Sequence, residues 1–186
     1  MNRIVLASQS PRRKQLLEWA EIPFEIIVKE TPETFPPGFT PREAAIFIAR
    51  QKALAVRASI DSQIVILAAD TIVVLNDRII GKPSGREDAI ATLQALSGQE
   101  HEVITGVVIF CGEKETAFAD TTKVQFHDLN NEQIAFYVDK YKPFDKAGAY
   151  AIQEWIGVVG IKSVKGDFYN VMGLPVSRVV RALNNI

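Results

Sequence analysis

The segment Ile4-Val5-Leu6-Ala7-Ser8-Gln9-Ser10-Pro11-Arg12-Arg13 joins a short apolar run to the start of a helix. The apolar run is typical of a short buried strand. Ser10 is a favourable N-cap, and Pro11 suits the first helical position because its missing N–H would have no intrahelical partner. The chain therefore begins with a predicted strand, a tight loop and a helix.

The same loop carries groups that suit an anion. A helix N-terminus offers open N–H groups and the positive end of the helix dipole. The positive charges of Arg12 and Arg13 are unfavourable at the positive end of the dipole unless a bound anion neutralises them. Guanidinium groups match the geometry of phosphate oxygens. With the hydroxyl of Ser8, they predict a phosphate or polyphosphate site. The alternative is a surface arginine pair after an ordinary strand.

The remaining sequence alternates predicted strands, hairpins and helices. Further strands are predicted at 24–28, 64–69, 72–75, 78–80, 103–110, 117–126 and 158–161. Helices are predicted at 11–21, 41–58, 86–96, 130–138 and 174–183, with loops at 31–41 and 166–175. Asn76-Asp77 is a plausible two-residue hairpin turn. This mixture favours an α/β fold with a mixed sheet over an all-parallel one.

Composition narrows the class of protein. The 186 residues suffice for a single domain over 1–186, and the net charge of −1 gives no overall attraction to nucleic acid or to a membrane. One cysteine excludes an intrachain disulfide. No apolar stretch is long enough to span a bilayer, and the first residues lack the apolar core of a signal peptide. We therefore expect a cytoplasmic protein.

Three charged residues stand in conspicuous places. Asp70 follows an apolar run, where a carboxylate is costly to bury unless it is paired, hydrogen-bonded or metal-bound. We expect it to have a functional role at a strand end, presented at the edge of the sheet. The alternative is an ordinary strand end, with Asp70 in solvent or bonded to a backbone N–H. Lys82, between Gly81 and Pro83, would reach a phosphate or lie in solvent. Lys52 lies on a predicted helix, where an exposed lysine is the simpler interpretation.

The segment 146–153 combines small residues with a terminal amide. Small side chains let a flat ligand approach the backbone, and Gln153 presents a donor beside an acceptor. The alternative is an alanine-rich packing strand. His101 and His127 lack metal-ligand partners at useful spacing. No Walker loop, dinucleotide-binding glycine motif or nucleophile elbow occurs.

Together these segments resemble the Maf family of nucleoside triphosphate pyrophosphatases. The resemblance covers residues 6 to 175 in the family's order, so it involves most of the chain. The matching segments are 6–13, Glu33, Lys52, 69–71, 81–83, 96–98, 145–150 with Gln153, and 170–175.

The resemblance implies a fold similar to the inosine triphosphate pyrophosphatases of the Maf/Ham1 type: a twisted mixed β-sheet with flanking helices, in two lobes around a cleft. It implies hydrolysis of a nucleoside triphosphate to the monophosphate and pyrophosphate with Mg²⁺ or Mn²⁺, and suggests a homodimer. It casts Asp70 as proton acceptor and, with Glu33 rather than Glu30, as metal ligand. The phosphate ligands implied are Ser8, Arg12, Arg13, Lys52 and Lys82.

The side-chain amide of Gln153 indicates which nucleobase the protein prefers. Gln153 could accept from N3–H and donate to O4 of uracil or thymine, whereas an ionised glutamate would suit the donors of guanine. The dTTP/UTP branch of the family resembles this sequence at Arg12, Thr71 and Gln153, the residues implied to set specificity. We therefore favour dTTP and UTP, with removal of excess or noncanonical pyrimidine nucleotides as the role.

Three alternatives remain at this stage. One is a 7-methyl-GTP pyrophosphatase, another branch of the same family. A second is a nucleotide-binding regulator of septum formation, which the family's link to cell division implies. A nucleic-acid-binding domain is disfavoured, because the chain lacks an aromatic and basic stripe.

Overall fold

A computed structural model describes residues 3–61 and 63–186 and shows α-helices beside a mixed β-sheet. The strands are β1 (Ile4–Leu6), β2 (Glu25–Ile26), β3 (Val65–Leu75), β4 (Arg78–Ile80), β5 (Glu100–Cys111), β6 (Lys114–Phe126) and β7 (Ile161–Lys165). The helices are α1 (Pro11–Trp19), α2 (Pro41–Arg57), α3 (Arg86–Leu96), α4 (Asn131–Tyr141), α5 (Trp155–Gly160), α6 (Phe168–Met172) and α7 (Val176–Leu183). A 3-10 turn covers Ala147–Ala149.

The described residues form one seven-stranded sheet in the order β2-β1-β3-β5-β6-β7, with β4 beside β3. β1 pairs in parallel with β2 and with β3. β4 pairs antiparallel with β3, and β7 pairs antiparallel with β6. The sequence prediction of a mixed α/β sheet is confirmed. Val5 and Leu6 of β1 are fully buried, as expected for a parallel strand covered on both faces.

The predicted helix starts are also confirmed. The Ser10 hydroxyl accepts from the backbone N–H of Arg13 at 3.4 Å, and Pro11 is the first residue of α1. Thr40 caps α2 and forms a capping box with Glu43. These boundaries depend on neighbouring residues in the chain, so the sequence suffices to locate them.

The predicted strands 64–69 and 72–75 are in fact one continuous strand, β3. Asp70 therefore lies inside this strand and not at its end, which corrects the sequence prediction. A buried carboxylate is tolerated there because a lysine side chain neutralises it. The predicted turn that follows is confirmed, since Asn76 and Asp77 both have positive φ, at 49° and 63°.

The prediction of a strand at 158–161 is wrong. Backbone N–H groups of Gly157 and Val158 donate to the carbonyl of Glu154, which starts α5, and β7 begins only at Ile161. The apolar β-branched pair Val158-Val159 gave the misleading signal. The predicted loop at 166–175 contains α6, and the final helix starts at Val176, two residues later than expected.

The described chain divides into two compact units. The first comprises the described residues up to Thr71, with Thr105–Asp120 and Gly173–Ile186. Its core packs apolar residues of β1, α2, β3 and β5, among them Val5, Ala53, Ile66 and Val108. Helix α2 lies very close to β5, because a Cβ on Gly106 would stand 2.3 Å from the carbonyl carbon of Ala45.

The second unit comprises Ile72–Ile104 and Thr121–Met172. Val73, Val103 and Val124 form an apolar cluster in it, against which Ile161 and Val171 pack. Of the helices that the structure describes, none is long and apolar enough to cross a membrane.

Candidate active site

The loop between β1 and α1 is held by hydroxyl groups. Ser8 is buried, and its Oγ accepts from the backbone N–H of Ser10 at 3.2 Å and from Nη1 of Arg13 at 3.0 Å. Ser10 in turn caps α1. The loop predicted to bind an anion is thus fixed in shape by its own side chains and lies at a helix N-terminus.

Arg13 is directed into the protein. It is only 8% exposed, and it donates from Nε to the carbonyl of Gly173 at 2.8 Å and from Nη2 to Oγ1 of Thr71 at 3.0 Å, besides its bond to Ser8. Burial lowers the pKa of the Arg13 guanidinium, and the charge of Asp70 acts in the opposite direction. These contacts fit an anchor for the loop better than a direct ligand of phosphate, the role predicted from sequence.

Thr71 belongs to the same network. Its Oγ1 accepts from Arg13 and lies 2.9 Å from Oγ1 of Thr105 on β5. Sequence reasoning missed Thr105 and the carbonyl of Gly173. A threonine within the apolar stretch of β5 was the available signal for the first, since a buried hydroxyl needs a partner.

Asp70, Lys52 and Glu33 come together in the first unit. Nζ of Lys52 donates to Oδ1 of Asp70 at 2.6 Å and to Oε1 of Glu33 at 2.8 Å. Asp70 is 8% exposed, whereas the side chain of Glu33 is 44% exposed. Sequence analysis named all three residues, and the structure places them in contact. The expectation that Lys52 is simply exposed is wrong, because its ammonium joins two carboxylates.

The three side chains carry one net negative charge, since two carboxylates face one ammonium. A hard divalent cation prefers such oxygen ligands, and Mg²⁺ is commonly bound by one or two carboxylates together with substrate phosphates. No cluster of three or more His, Cys, Asp or Glu side chains suited to a metal occurs within residues 3–61 and 63–186. The carboxylates of Asp70 and Glu33 are oxygen ligands of the kind that Mg²⁺ prefers.

Two further predicted site residues, Lys82 and Gln153, belong to the second unit. Lys82 is exposed directly after β4, and the neighbouring carbonyl of Gly81 accepts from the N–H of Gly148 at 3.2 Å. Gly148 has a φ of 72°, and a Cβ there would lie 3.0 Å from Val73. A side chain at this position is thus disfavoured by both backbone and packing.

Gln153 is exposed in the turn between the 3-10 turn and α5. Sequence reasoning left open an alanine-rich strand over this segment, and the structure shows a turn instead. The amide consequently projects from a short connection and not from a sheet. This exposure leaves its donor and acceptor accessible to a ligand.

The family model for Maf-like proteins matches residues 3–186. The chain belongs to the Maf family. Three similar proteins are named dTTP/UTP pyrophosphatase. That of Cytophaga hutchinsonii is 50% identical over 98% of this chain and 84% of its own length. That of Bacillus cereus (strain ATCC 14579) is 48% identical over 98% and 95%, and that of Bacteroides fragilis (strain YCH46) is 45% identical over 99% and 96%.

Solved structures place this Maf chain in the expected fold. The Ham1 protein of Staphylococcus aureus has a TM-score of 0.54 at 16% identity and covers 99% of both chains. A Ham1 protein from Coxiella burnetii has a TM-score of 0.52 at 17% identity and covers 100% of both chains. At these identities the likeness concerns the fold alone, and it confirms the predicted Maf/Ham1 arrangement of a mixed sheet with flanking helices.

Proposed function

We propose that this Maf-family chain hydrolyses dTTP and UTP to the monophosphate and pyrophosphate. The names of relatives that are 45–50% identical over nearly the whole chain support this reaction. The observation that carries the chemistry is the contact of one ammonium, on Lys52, with both Asp70 and Glu33. A pure binding protein would not need a buried carboxylate beside a phosphate site.

In the proposed reaction, water adds to the α-phosphorus and the anhydride bond to the β-phosphate breaks. Asp70 accepts a proton from the attacking water, as a positioned general base does. Lys52 holds this carboxylate in place through a 2.6 Å hydrogen bond and adds positive charge near the phosphates. The pyrophosphate leaves with the electrons of the broken bond.

Asp70 and Glu33 are the residues that would hold Mg²⁺ or Mn²⁺. When bound, such an ion would neutralise phosphate charge and favour ionisation of water. The supporting observation is that two carboxylates approach the same lysine nitrogen in the first unit. Glu30 is exposed on the same loop, whereas Glu33 accepts a hydrogen bond from Lys52.

Phosphate binding is assigned to Ser8, Arg12, Lys52 and Lys82, which supply hydroxyl and cationic groups. Arg13 is assigned to holding the same loop in place, because its three hydrogen bonds go to protein acceptors. Its positive charge still contributes to the local field at short range. This division of roles replaces a set of five equivalent phosphate ligands.

Specificity for the base is assigned to Gln153, with Arg12 and Thr71. An amide complements the N3–H and O4 of uracil and thymine. Thr71 is held by Arg13 and lies next to Thr105, so its contribution is tied to the shape of the loop after β1. We further propose that the protein acts in the cytoplasm as a homodimer, without nucleic-acid or membrane partners; the family resemblance and the net charge of −1 support this.

The test is pyrophosphate release from dTTP, UTP, CTP, GTP, ATP and 7-methyl-GTP with Mg²⁺ or Mn²⁺. Selective turnover of dTTP and UTP is expected. Selective turnover of 7-methyl-GTP would keep the mechanism and overturn the assignment of Gln153. A folded protein that binds a nucleotide but cleaves none would support the septum-regulator alternative.

A further inference from the structure

The turn that carries Gln153 is closely packed against α5. The N–H of Glu154 donates to the carbonyl of Ala151 at 3.1 Å, which closes the turn around Gln153. A Cβ on Gly157 would lie 1.6 Å from the carbonyl oxygen of Ile152. Only glycine therefore allows α5 to approach the backbone of the turn so closely, and the turn has little freedom on that side.

A single hydroxyl joins the two ends of this turn. Tyr137 of α4 is fully buried, and its Oη accepts from the backbone N–H of Ala151 at 3.1 Å. The same Oη donates to the carboxylate of Glu154. Gln153 lies between these two attachment points. Tyr137 thus fixes the chain on both sides of the residue assigned to the base.

The carboxylate of Glu154 has a cation nearby. Nζ of Lys146 lies 3.9 Å from Glu154 and donates to Asp145 at 2.7 Å. The side chain of Lys146 is largely buried, so screening by solvent is reduced. Glu154 is consequently held by a hydroxyl and by an ammonium, and its position is more constrained than that of a surface glutamate.

We propose that Tyr137 and Glu154 are positioning residues that determine how strongly the protein distinguishes uracil from cytosine. The inference rests on the proposed function, in which Gln153 reads the base. Gln153 contributes to the preference for uracil only where its backbone brings the amide within hydrogen-bond distance of N3–H and O4, and the Tyr137–Glu154 pair fixes that backbone.

The experiment compares kcat/KM for UTP with kcat/KM for CTP. Tyr137→Phe removes only the hydroxyl, and we expect the UTP/CTP ratio to fall about tenfold, chiefly through a higher KM for UTP. Glu154→Ala should act in the same direction. Glu154→Gln keeps an acceptor for the tyrosine and should preserve the ratio within about twofold. Tyr141→Phe is the matched control, because it removes a hydroxyl from a ring stacked on Tyr137 and should leave the ratio unchanged.

A Gln153→Ala background separates positioning from general loss of structure. If Tyr137 acts through Gln153, then Tyr137→Phe has no further effect on the ratio in that background. If Tyr137→Phe lowers the UTP/CTP ratio by the same factor in the Gln153→Ala background, the proposal is overturned. It is also overturned if Gln153→Ala abolishes the preference while Tyr137→Phe and Glu154→Ala both leave the ratio unchanged. Should Tyr137→Phe not fold, Glu154→Ala carries the test, because Glu154 is partly exposed.

Failure of the proposed function has a different signature. A wild-type protein without preference for UTP over CTP, or a Gln153→Ala variant that keeps the preference, would remove the role of Gln153 and the positioning proposal with it. Loss of the preference in Gln153→Ala, with no effect of the other two positions, would overturn only the positioning role.

Discussion

Lys52 on α2 donates to Asp70 on β3 at 2.6 Å, and the same nitrogen lies 2.8 Å from Glu33. Helix α2, which carries Lys52, approaches β5 closely at Gly106. Three segments that are separate in sequence bring two carboxylates to one cation. This arrangement restrains the residue to which we assign proton transfer.

The first prediction concerns Asp70 as the proton acceptor. Asp70→Asn keeps the size of the side chain but cannot take up a proton, so kcat for UTP should fall at least about 100-fold. Binding of UTP measured without a divalent metal should be retained, because the cationic groups assigned to the phosphates are unchanged. Rapid-quench turnover and calorimetric titration would measure the two quantities. A variant with unchanged kcat would place the proton acceptor elsewhere.

The second prediction concerns the metal. Glu33→Gln removes one of the two carboxylates beside Lys52, and the Mg²⁺ concentration for half-maximal activity should rise about tenfold, because cation affinity depends on the charge of the ligands. The matched control is Glu30→Gln, which changes an exposed glutamate three residues away. Equal effects of both variants would indicate a loss of surface charge and not of a metal ligand.

Local chemistry made several features predictable from sequence. Ser10 with Pro11 marks the start of α1, and Thr40 with Glu43 marks the start of α2, because caps are satisfied by residues three positions away. The turn at Asn76-Asp77 is predictable for the same reason. The carboxylate of Asp70 within an apolar run was the local signal for the role that we propose for this residue.

Features that depend on distant contacts were not predictable in the same way. The inward orientation of Arg13 depends on the carbonyl of Gly173, 160 residues later in the chain. Asp70 within β3 is paired with Lys52 of α2, and no local signal encodes that pairing.

The third prediction concerns the role of Arg13. Arg13→Lys keeps the charge but loses the planar group that reaches Ser8, Thr71 and Gly173 together, so the free energy of unfolding should fall by about 2 kcal/mol. Urea denaturation would measure this loss. Arg12→Lys in the same turn is the control and should change the free energy of unfolding by less than about 0.5 kcal/mol. A stable Arg13→Lys protein with a raised KM would instead restore Arg13 as a direct phosphate ligand.

The fourth prediction concerns the stability of the second unit in acid. His101 is buried and its Nε2 lies 2.7 Å from Oη of Tyr150. Burial lowers the pKa of His101 to about 4, below its ordinary value of 6.5. Between these values the unfolded chain binds the proton and the folded chain does not, so this contribution favours folding above pH 6.5 and is lost as the pH falls toward 4.

The size of that effect follows from the shift. If His101 is protonated only in the unfolded chain, the free energy of unfolding falls by about 3 kcal/mol by pH 4. The titration of carboxylates adds to this loss. The free energy of unfolding measured by urea denaturation at several pH values should therefore fall less steeply with acid in His101→Gln than in the wild type. His127→Gln, at an exposed histidine, is the matched control. Equal slopes in the wild type and in His101→Gln would mean that His101 takes up its proton in the folded protein as readily as in the unfolded chain.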